Sequence, residues 1–276
     1  ITFLSLTNKT IDVPDNVITS GVNATSQIVA IKKFIETNEM QKTIFLTPKV
    51  DYDQEIKKAI KKSKIKISKH YIYDTEPTKL TKQIEKITNY KIRKQNVLDE
   101  IKRIENSDMS DDEKERKIKR WEKRYTLGKL NFDSVIISDF DESLKSVITS
   151  LLYTDVLPEN NYIITFNQWF DESLLVEKSI QPIYYPSINK KNLEAFEKKF
   201  QSQFSEKPNH LALLSYDLIG LVYYLSIKND STEFNKLFKK KNSFKGKIGI
   251  FDVQDNKINH RLNFYQIKKG KLKEIF

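Results

Sequence analysis

Apolar residues fall along this chain in short bursts separated by stretches with helical spacing. Residues 1–6 read as a buried strand that runs into a polar loop at 7–16, where Pro14 forbids a continuing helix. Gly21 marks a turn. After Thr25, the positions Ile28, Ile31, Phe34 and Ile35 describe an amphipathic helix, and 43–46 is a short apolar strand closed by Pro48. Ile56, Ala59 and Ile60 line one side of a helix over 53–62, and 64–73 alternates as a strand does. Strand, helix and strand joined by short polar links predict a parallel sheet covered by helices.

The run after Pro77 breaks that economy. Leu80, Ile84, Ile87, Val97, Leu98, Ile101 and Ile104 suit one long helix, and Ile118, Trp121 and Tyr125 suit a second that folds back on it. Ser110 followed by Glu113 has the form of a capping box at the start of that second helix. Charges of both signs are interspersed over 78–126, which reads as a solvated face with many i,i+4 pairs more readily than as an RNA-binding arm.

The strand and helix rhythm resumes with strands at 134–138, 162–166 and 180–185 and helices at 142–153, 193–204 and 232–239. Residues 209–225, NHLALLSYDLIGLVYYL, are apolar nearly all round, so that helix is expected to be buried, and it is too short for a membrane span. Asp217 within it must be hydrogen-bonded or face a cleft, because a bare buried carboxylate costs several kcal/mol. The tail alternates at 247–253, 261–268 and 272–276 between the turn signals Asp255-Asn256 and Lys269-Gly270.

Composition narrows the chemistry. With no cysteine, thiolate catalysis and disulfides are excluded, and His70, His210 and His260 are too scattered for a metal cluster. The net charge of +11 comes mostly from lysine, with asparagine and isoleucine also frequent, as an AT-rich coding bias produces. That charge attracts anionic surfaces without indicating specific nucleic-acid binding. The six glycines are dispersed, so no GxGxxG or GxxxxGK phosphate loop exists, and no GxSxG elbow is present. The acid groups Asp139/Asp141/Glu142 and Asp171/Glu172 lie at strand ends, where Asp141 and Asp171 precede Ser-Leu helices and are expected to cap them. No enzyme, cofactor or metal site is expected.

Polar and aromatic residues at the carboxyl ends of parallel strands remain, the place where open α/β sheets hold ligands. They are Ser5, Thr7 and Asn8 after the first strand, Tyr52 after Pro48, and Asn167 and Trp169 after Phe166. Each also has a plainer role open to it: a side-chain turn for Thr7 and Asn8, a helix cap for Tyr52, a core plug for Trp169.

Taken in order, FLSLTNKTIDVPDNVITSGVNATSQIVAIKKFI, IFLTPKVDYDQEIKKAI, FDSVIISDFDESLKSVITSLL, LLSYDLIGLVYYL and FKGKIGIFDVQDNKINHRLNFYQIKKGKL resemble the type I periplasmic-binding-protein superfamily. The hairpin followed by RYTLGKLNFDSVII is most similar to the penicillin-binding-protein activators, lipoproteins of the LppC/LpoA type. The resemblance implies a two-lobed α/β fold with parallel sheets flanked by helices and an inserted charged helical hairpin. One lobe would comprise 1–75 and 187–245, lacking its first strand-helix units, and the other 76–186 and 246–276, including the hairpin 78–126. Crossings between lobes would fall near 73–77, 185–187 and 244–247. The resemblance further implies a periplasmic location, with a lipid anchor to the outer membrane encoded upstream and no transmembrane segment in this stretch. The implied partner is a peptidoglycan synthase, with an ABC-importer receptor for an amino acid or similar small solute as the alternative. Ser5, Thr7, Tyr52 and the loop from Asn167 to Trp169 fall where amino-acid receptors of this kind hold their ligand. Tyr52-Asp53 stands where relatives commonly carry Tyr-Gly, and no acid and base pair for an amino-acid zwitterion is apparent.

Overall fold

Two sheets divide the chain. The computed structural model describes residues 2–50, 52–228, 234–239, 241–247 and 249–276, with the backbone alone at 228 and 234–236. The elements run β1 (Phe3–Ser5), β2 (Val17–Thr19), α1 (Ala24–Thr37), β3 (Thr43–Pro48), α2 (Asp53–Ser63) and β4 (Lys69–Tyr73). Helices α3 (Pro77–Ile87), α4 (Tyr90–Glu105) and α5 (Asp111–Glu122) follow, then β5 (Ser134–Ile137), α6 (Asp141–Tyr153), β6 (Tyr162–Thr165), α7 (Ser173–Val176) and β7 (Ile183–Ser187). The remainder comprises α8 (Lys190–Phe204), α9 (His210–Lys228), α10 (Phe234–Lys239), β8 (Asn242–Lys245), β9 (Ile250–Gln254), β10 (Lys257–His260), β11 (Asn263–Lys268) and β12 (Lys271–Glu274). The expected helix start at Thr232, the first strand's Ile1, and Ile248 in the expected strand 247–253 lie outside the described residues.

The larger sheet has the order β12-β11-β7-β6-β5-β3-β4, parallel from β4 to β7 and closed by the antiparallel β11 and β12. Because strand side chains alternate between faces, Phe45, Ile136 and Ile164 meet Ile28, Ile31 and Phe34 of α1 on one side. Leu46, Val135 and Ile137 meet Leu80, Ile84, Leu144 and Val147 of α3 and α6 on the other. Covered on both faces, these strands are apolar throughout. The smaller sheet has the order β1-β2-β10-β9-β8, with Ile18, Phe251, Val253 and Ile258 packed on Leu218, Leu221 and Leu225 of α9.

This topology redraws the expected lobes. β3 and β4 lie in one sheet with β5 and β6, so 43–73 belongs with 134–187, not with residues 3–5. The chain passes between sheets after β2, after β7 and after β10, at 20–23, 188–189 and 261–262. Neither 73–77 nor 244–247 is a crossing: the first joins β4 to α3, and the second is the turn between antiparallel β8 and β9. A turn rich in Pro, Gly and small polar residues looks the same in sequence whether it links sheets or ends a hairpin.

Four local expectations also change. The long helix is broken into α3 and α4 at Asn89, whose left-handed φ of 51° ends the first helix. Ser110 is the N-cap of α5 but makes no side-chain capping bond. β1 is an edge strand whose Phe3 and Leu4 are exposed, and α9 is buried along one side only, with Ile219, Tyr223 and Ile227 each more than three-fifths exposed.

Candidate functional site

The three crossings lie side by side and are tied by polar side chains. Asn23 caps α1 by accepting from Ser26 N at 2.9 Å, and its Nδ2 donates to Ile258 O and to Asn259 Oδ1, both at 3.1 Å. His260 Nε2 meets Ser20 O at 2.9 Å. Burial pushes this imidazole below its ordinary value of 6.5, against smaller upward pulls from the Ser20 carbonyl and Asp217. At the second crossing, Tyr265 OH donates to Ile188 O and accepts from Lys190 N, each at 3.0 Å.

The loop after β6 joins the same junction. Asn167 N donates to Gln27 Oε1 at 2.7 Å, and Asn167 Oδ1 accepts from Trp169 N at 3.0 Å and from Ser187 Oγ at 2.8 Å. Trp169 and Phe170 both hold left-handed φ values, 48° and 61°, which large side chains rarely adopt. That backbone carries the Trp169 ring onto His210 of α9, stacked at 4.7 Å between centroids, so it packs across the lobes as the core plug.

Along the carboxyl-terminal edge of the larger sheet the polar groups are turned on one another. Buried Asp139 accepts from Tyr73 OH, from Ser143 Oγ at 2.7 Å and from Phe140 N at 2.9 Å, so Asp139, not Asp141, bonds the start of α6. Asp171 lies one residue before the N-cap of α7, Glu172, and bonds the start of that helix by accepting from Ser173 N at 2.9 Å. Tyr52 OH donates to Ser138 O at 2.6 Å. Ser138 Oγ lies 3.2 Å from Thr47 Oγ1, which meets His70 Nε2 at 2.8 Å. Gln168 Nε2 donates to Thr165 Oγ1, Phe166 O and Asp139 O at 3.0–3.1 Å. Burial, reinforced by Asp139, raises the Tyr52 and Tyr73 hydroxyls above their usual range, so both stay protonated donors.

The smaller sheet answers from above with the loop between β1 and β2. Ser5 Oγ accepts from Thr7 N at 3.4 Å and Thr7 Oγ1 from Lys9 N at 3.2 Å, the side-chain turn open to them. Asn8 is exposed. Gly21 lies so close beneath that a Cβ there would meet Thr7 O at 2.5 Å and Asn8 N at 2.6 Å. Farther along, Glu55 of α2 accepts Thr10 N at 2.5 Å, Ile11 N at 2.7 Å and Thr10 Oγ1 at 2.7 Å, holding the loop to the other lobe. Among the described residues no hydrogen bond joins Ser5, Thr7 or Asn8 to Tyr52, Asn167 or Trp169. Sequence reasoning missed Glu55, which looks like any charge on a solvated helix, and Gln27, which sits on a face read as apolar. Asp139 was visible as a strand-end acid with its role given to its neighbour.

Two lobes joined by three adjacent crossings, with parallel strands whose carboxyl ends face the junction, have clear counterparts among solved structures. The fold is that of the type I periplasmic binding proteins. The LpoA C-domain from Haemophilus influenzae, a regulator of PBP1A, matches 99% of this chain and 73% of its own at TM-score 0.59 and 13% identity. The leucine-binding protein LivK of Thermotoga maritima matches 96% of this chain and 68% of its own at TM-score 0.56 and 10% identity. An extracellular ligand-binding receptor from Desulfohalobium retbaense matches 97% of this chain at TM-score 0.56 and 10% identity, and the chain spans only 42% of that receptor's length. No protein-family model and no curated protein sequence matches. The same fold serves a leucine-binding protein and a regulator of PBP1A, so the fold alone assigns no role.

Proposed function

We propose that this chain is a non-enzymatic binding protein of the periplasm that contacts a peptidoglycan synthase and regulates it. The observation that carries this reading is the closed polar edge: Asp139, Tyr73, Tyr52, Ser138 and Gln168 satisfy one another. A receptor for a zwitterion needs convergent groups held ready for its ligand. The likeness to the LpoA C-domain supports the same reading. An outer-membrane lipid anchor and further strand-helix units ahead of Ile1 belong to it as well. Such units would have a surface to cover, in Phe3 and Leu4 of the edge strand β1 and the bare side of α9. The test is co-precipitation of the whole chain with the periplasmic region of a class A peptidoglycan synthase, coupled to a glycan-polymerisation assay. Binding with a raised polymerisation rate is expected, and absence of binding rejects the reading.

One observation favours the alternative, a receptor of an ABC importer for an amino acid or similar solute. Asn167 Nδ2 is buried and has no hydrogen-bond partner among the described residues, beside Trp169. A thermal-shift screen with amino acids separates the two, since a solute at about a hundred times its dissociation constant adds roughly 2.7 kcal/mol.

A further inference from the structure

The hairpin concentrates arginine in a chain that otherwise avoids it. Of the six arginines, Arg93, Arg103, Arg116, Arg120 and Arg124 lie on α4, α5 or the turn after α5. A coding bias toward lysine accounts for the other cations and leaves this cluster unexplained. Arg93 serves the fold. It is buried, its Nη1 donates to Thr154 O at 3.1 Å and its Nη2 to Thr126 Oγ1 at 2.7 Å, fastening α4 to the end of α6. α5 plays no such part, since none of its side chains is buried.

A groove of about 380 Å³ lies between α4 and the second half of α5, lined by Glu100, Arg103 and Ile104 on the α4 side and by Met109, Lys117, Arg120, Trp121 and Arg124 on the other. Its floor is half-buried Trp121, with the Arg124 guanidinium 4.8 Å from the ring centroid, and Met109, whose Sδ lies 2.8 Å from Lys117 Nζ. Two exposed guanidinium forks of this protein close on carboxylates, whereas Arg116 Nε donates to the Asp112 carbonyl at 3.2 Å. Arg103 holds Glu100 through 2.7 and 2.8 Å bonds, and Arg261 holds Asp252 through 2.8 and 2.9 Å bonds. Among the described residues, Lys117, Arg120 and Arg124 have no carboxylate within 4.0 Å. The acids of α5 are Asp111, Asp112 and Glu113 in its first turn, Glu115, which pairs with Lys119, and Glu122 at its end. None of them lines the groove, whose one acid, Glu100 of α4, is held by Arg103.

We propose that this groove docks an acidic peptide segment of the partner protein, its carboxylates forked by Arg120 and Arg124 and an apolar side chain set on Trp121 and Met109. The planar guanidinium matches a carboxylate with two parallel bonds, a geometry that lysine cannot give. An apolar floor beneath the cations suits a peptide with both charge and aliphatic side chains. A polynucleotide track needs successive stacking platforms, and this groove has one aromatic ring. The inference rests on the proposed function for its class of partner, a protein, and adds the surface and the chemistry.

Fluorine NMR of the whole chain carrying 5-fluorotryptophan tests it, because the two tryptophans give two signals and Trp121→Phe assigns them. The probes are a short synthetic peptide alternating glutamate with leucine, the same peptide with glutamine for glutamate, and a single-stranded oligonucleotide. The glutamate peptide is expected to move the Trp121 signal and leave that of Trp169 in place. Replacing glutamate by glutamine, or making the double variant Lys117→Glu/Arg120→Glu, is expected to weaken the interaction about tenfold or more. Circular dichroism checks that the variant stays folded. A Trp121 signal that the glutamate peptide leaves unmoved, or that the oligonucleotide moves equally, overturns the proposal. Either outcome leaves synthase binding itself to be decided by the co-precipitation.

Discussion

β3 and α9 are both strongly apolar, yet they end in opposite surroundings. All six residues of β3 are buried, because α1 and α2 cover one face of its sheet and α3 and α6 the other. α9 sets Leu218, Leu221 and Leu225 on the smaller sheet and leaves Ile219, Tyr223 and Ile227 in solvent. Burial therefore follows the number of layers that a topology supplies, and composition alone does not report it. A contiguous apolar face of this kind marks a contact surface.

The comparison breaks first at the core. Phe45→Ala in β3 is expected to cost about 3–5 kcal/mol and Leu218→Ala in α9 about 2–5 kcal/mol, read by chemical denaturation, since both side chains are at most 5% exposed. If Leu218→Ala costs under about 1 kcal/mol, the smaller sheet has no core of its own and α9 is only loosely held.

The bond between the lobes comes next. Glu55→Ala removes the acceptor of two amides and a hydroxyl, a loss of about 1–2 kcal/mol after allowing for its partial exposure. Hydrogen exchange should speed up at Thr10 and Ile11 while the amides of β3 and β5 keep their protection. Equal acceleration in both places would mean that the loop and the larger sheet unfold as one unit.

The third effect is one of pH. His260 is held below 6.5 by burial, so below that value the unfolded chain binds a proton that the native chain refuses. Stability should be full above about pH 6.5 and fall as pH drops from there toward the depressed native value. His70, also lowered by burial, adds in the same direction. His260→Gln should flatten part of this slope in denaturation curves taken from pH 7.5 to 5. An unchanged slope would assign the pH dependence to His70 and to the carboxylates.

What the sequence disclosed tracks how local each feature is. β3, β5 and β6 are apolar bursts between polar links and were readable as strands, with α1, α2 and α6 as their covers. β2, β8 and β10 were not, because each is three or four residues long and mostly polar or partnered far away, as Lys257 is with Thr19. The lobe boundary failed for the same reason, since sheet membership is fixed by pairings between residues such as Thr43 and Ser134. At the site, the end-of-strand rule found Tyr52, Asn167 and Trp169 near the junction. It could not show that Tyr52 OH bonds the Ser138 carbonyl or that Asn167 Oδ1 accepts from Ser187 Oγ, because those partners come from other segments; only the bond from Trp169 N to Asn167 Oδ1 is local.

The smallest effect is the most informative about α9. Ile219 stands next to Leu218 in the chain but points the other way, and it is 64% exposed against 5% for its neighbour. In the chain as it stands, Ile219→Ser should change stability by no more than about 0.5 kcal/mol, because the site buries almost nothing that the substitution could expose. It should also reduce self-association in sedimentation velocity, since exposed apolar faces of this kind promote association. If the loss instead approaches that of Leu218→Ala, something covers Ile219 in solution, either a second copy of the chain or another part of this one. Repeating the measurement over a range of protein concentrations separates these, since a loss that grows with concentration requires a second copy.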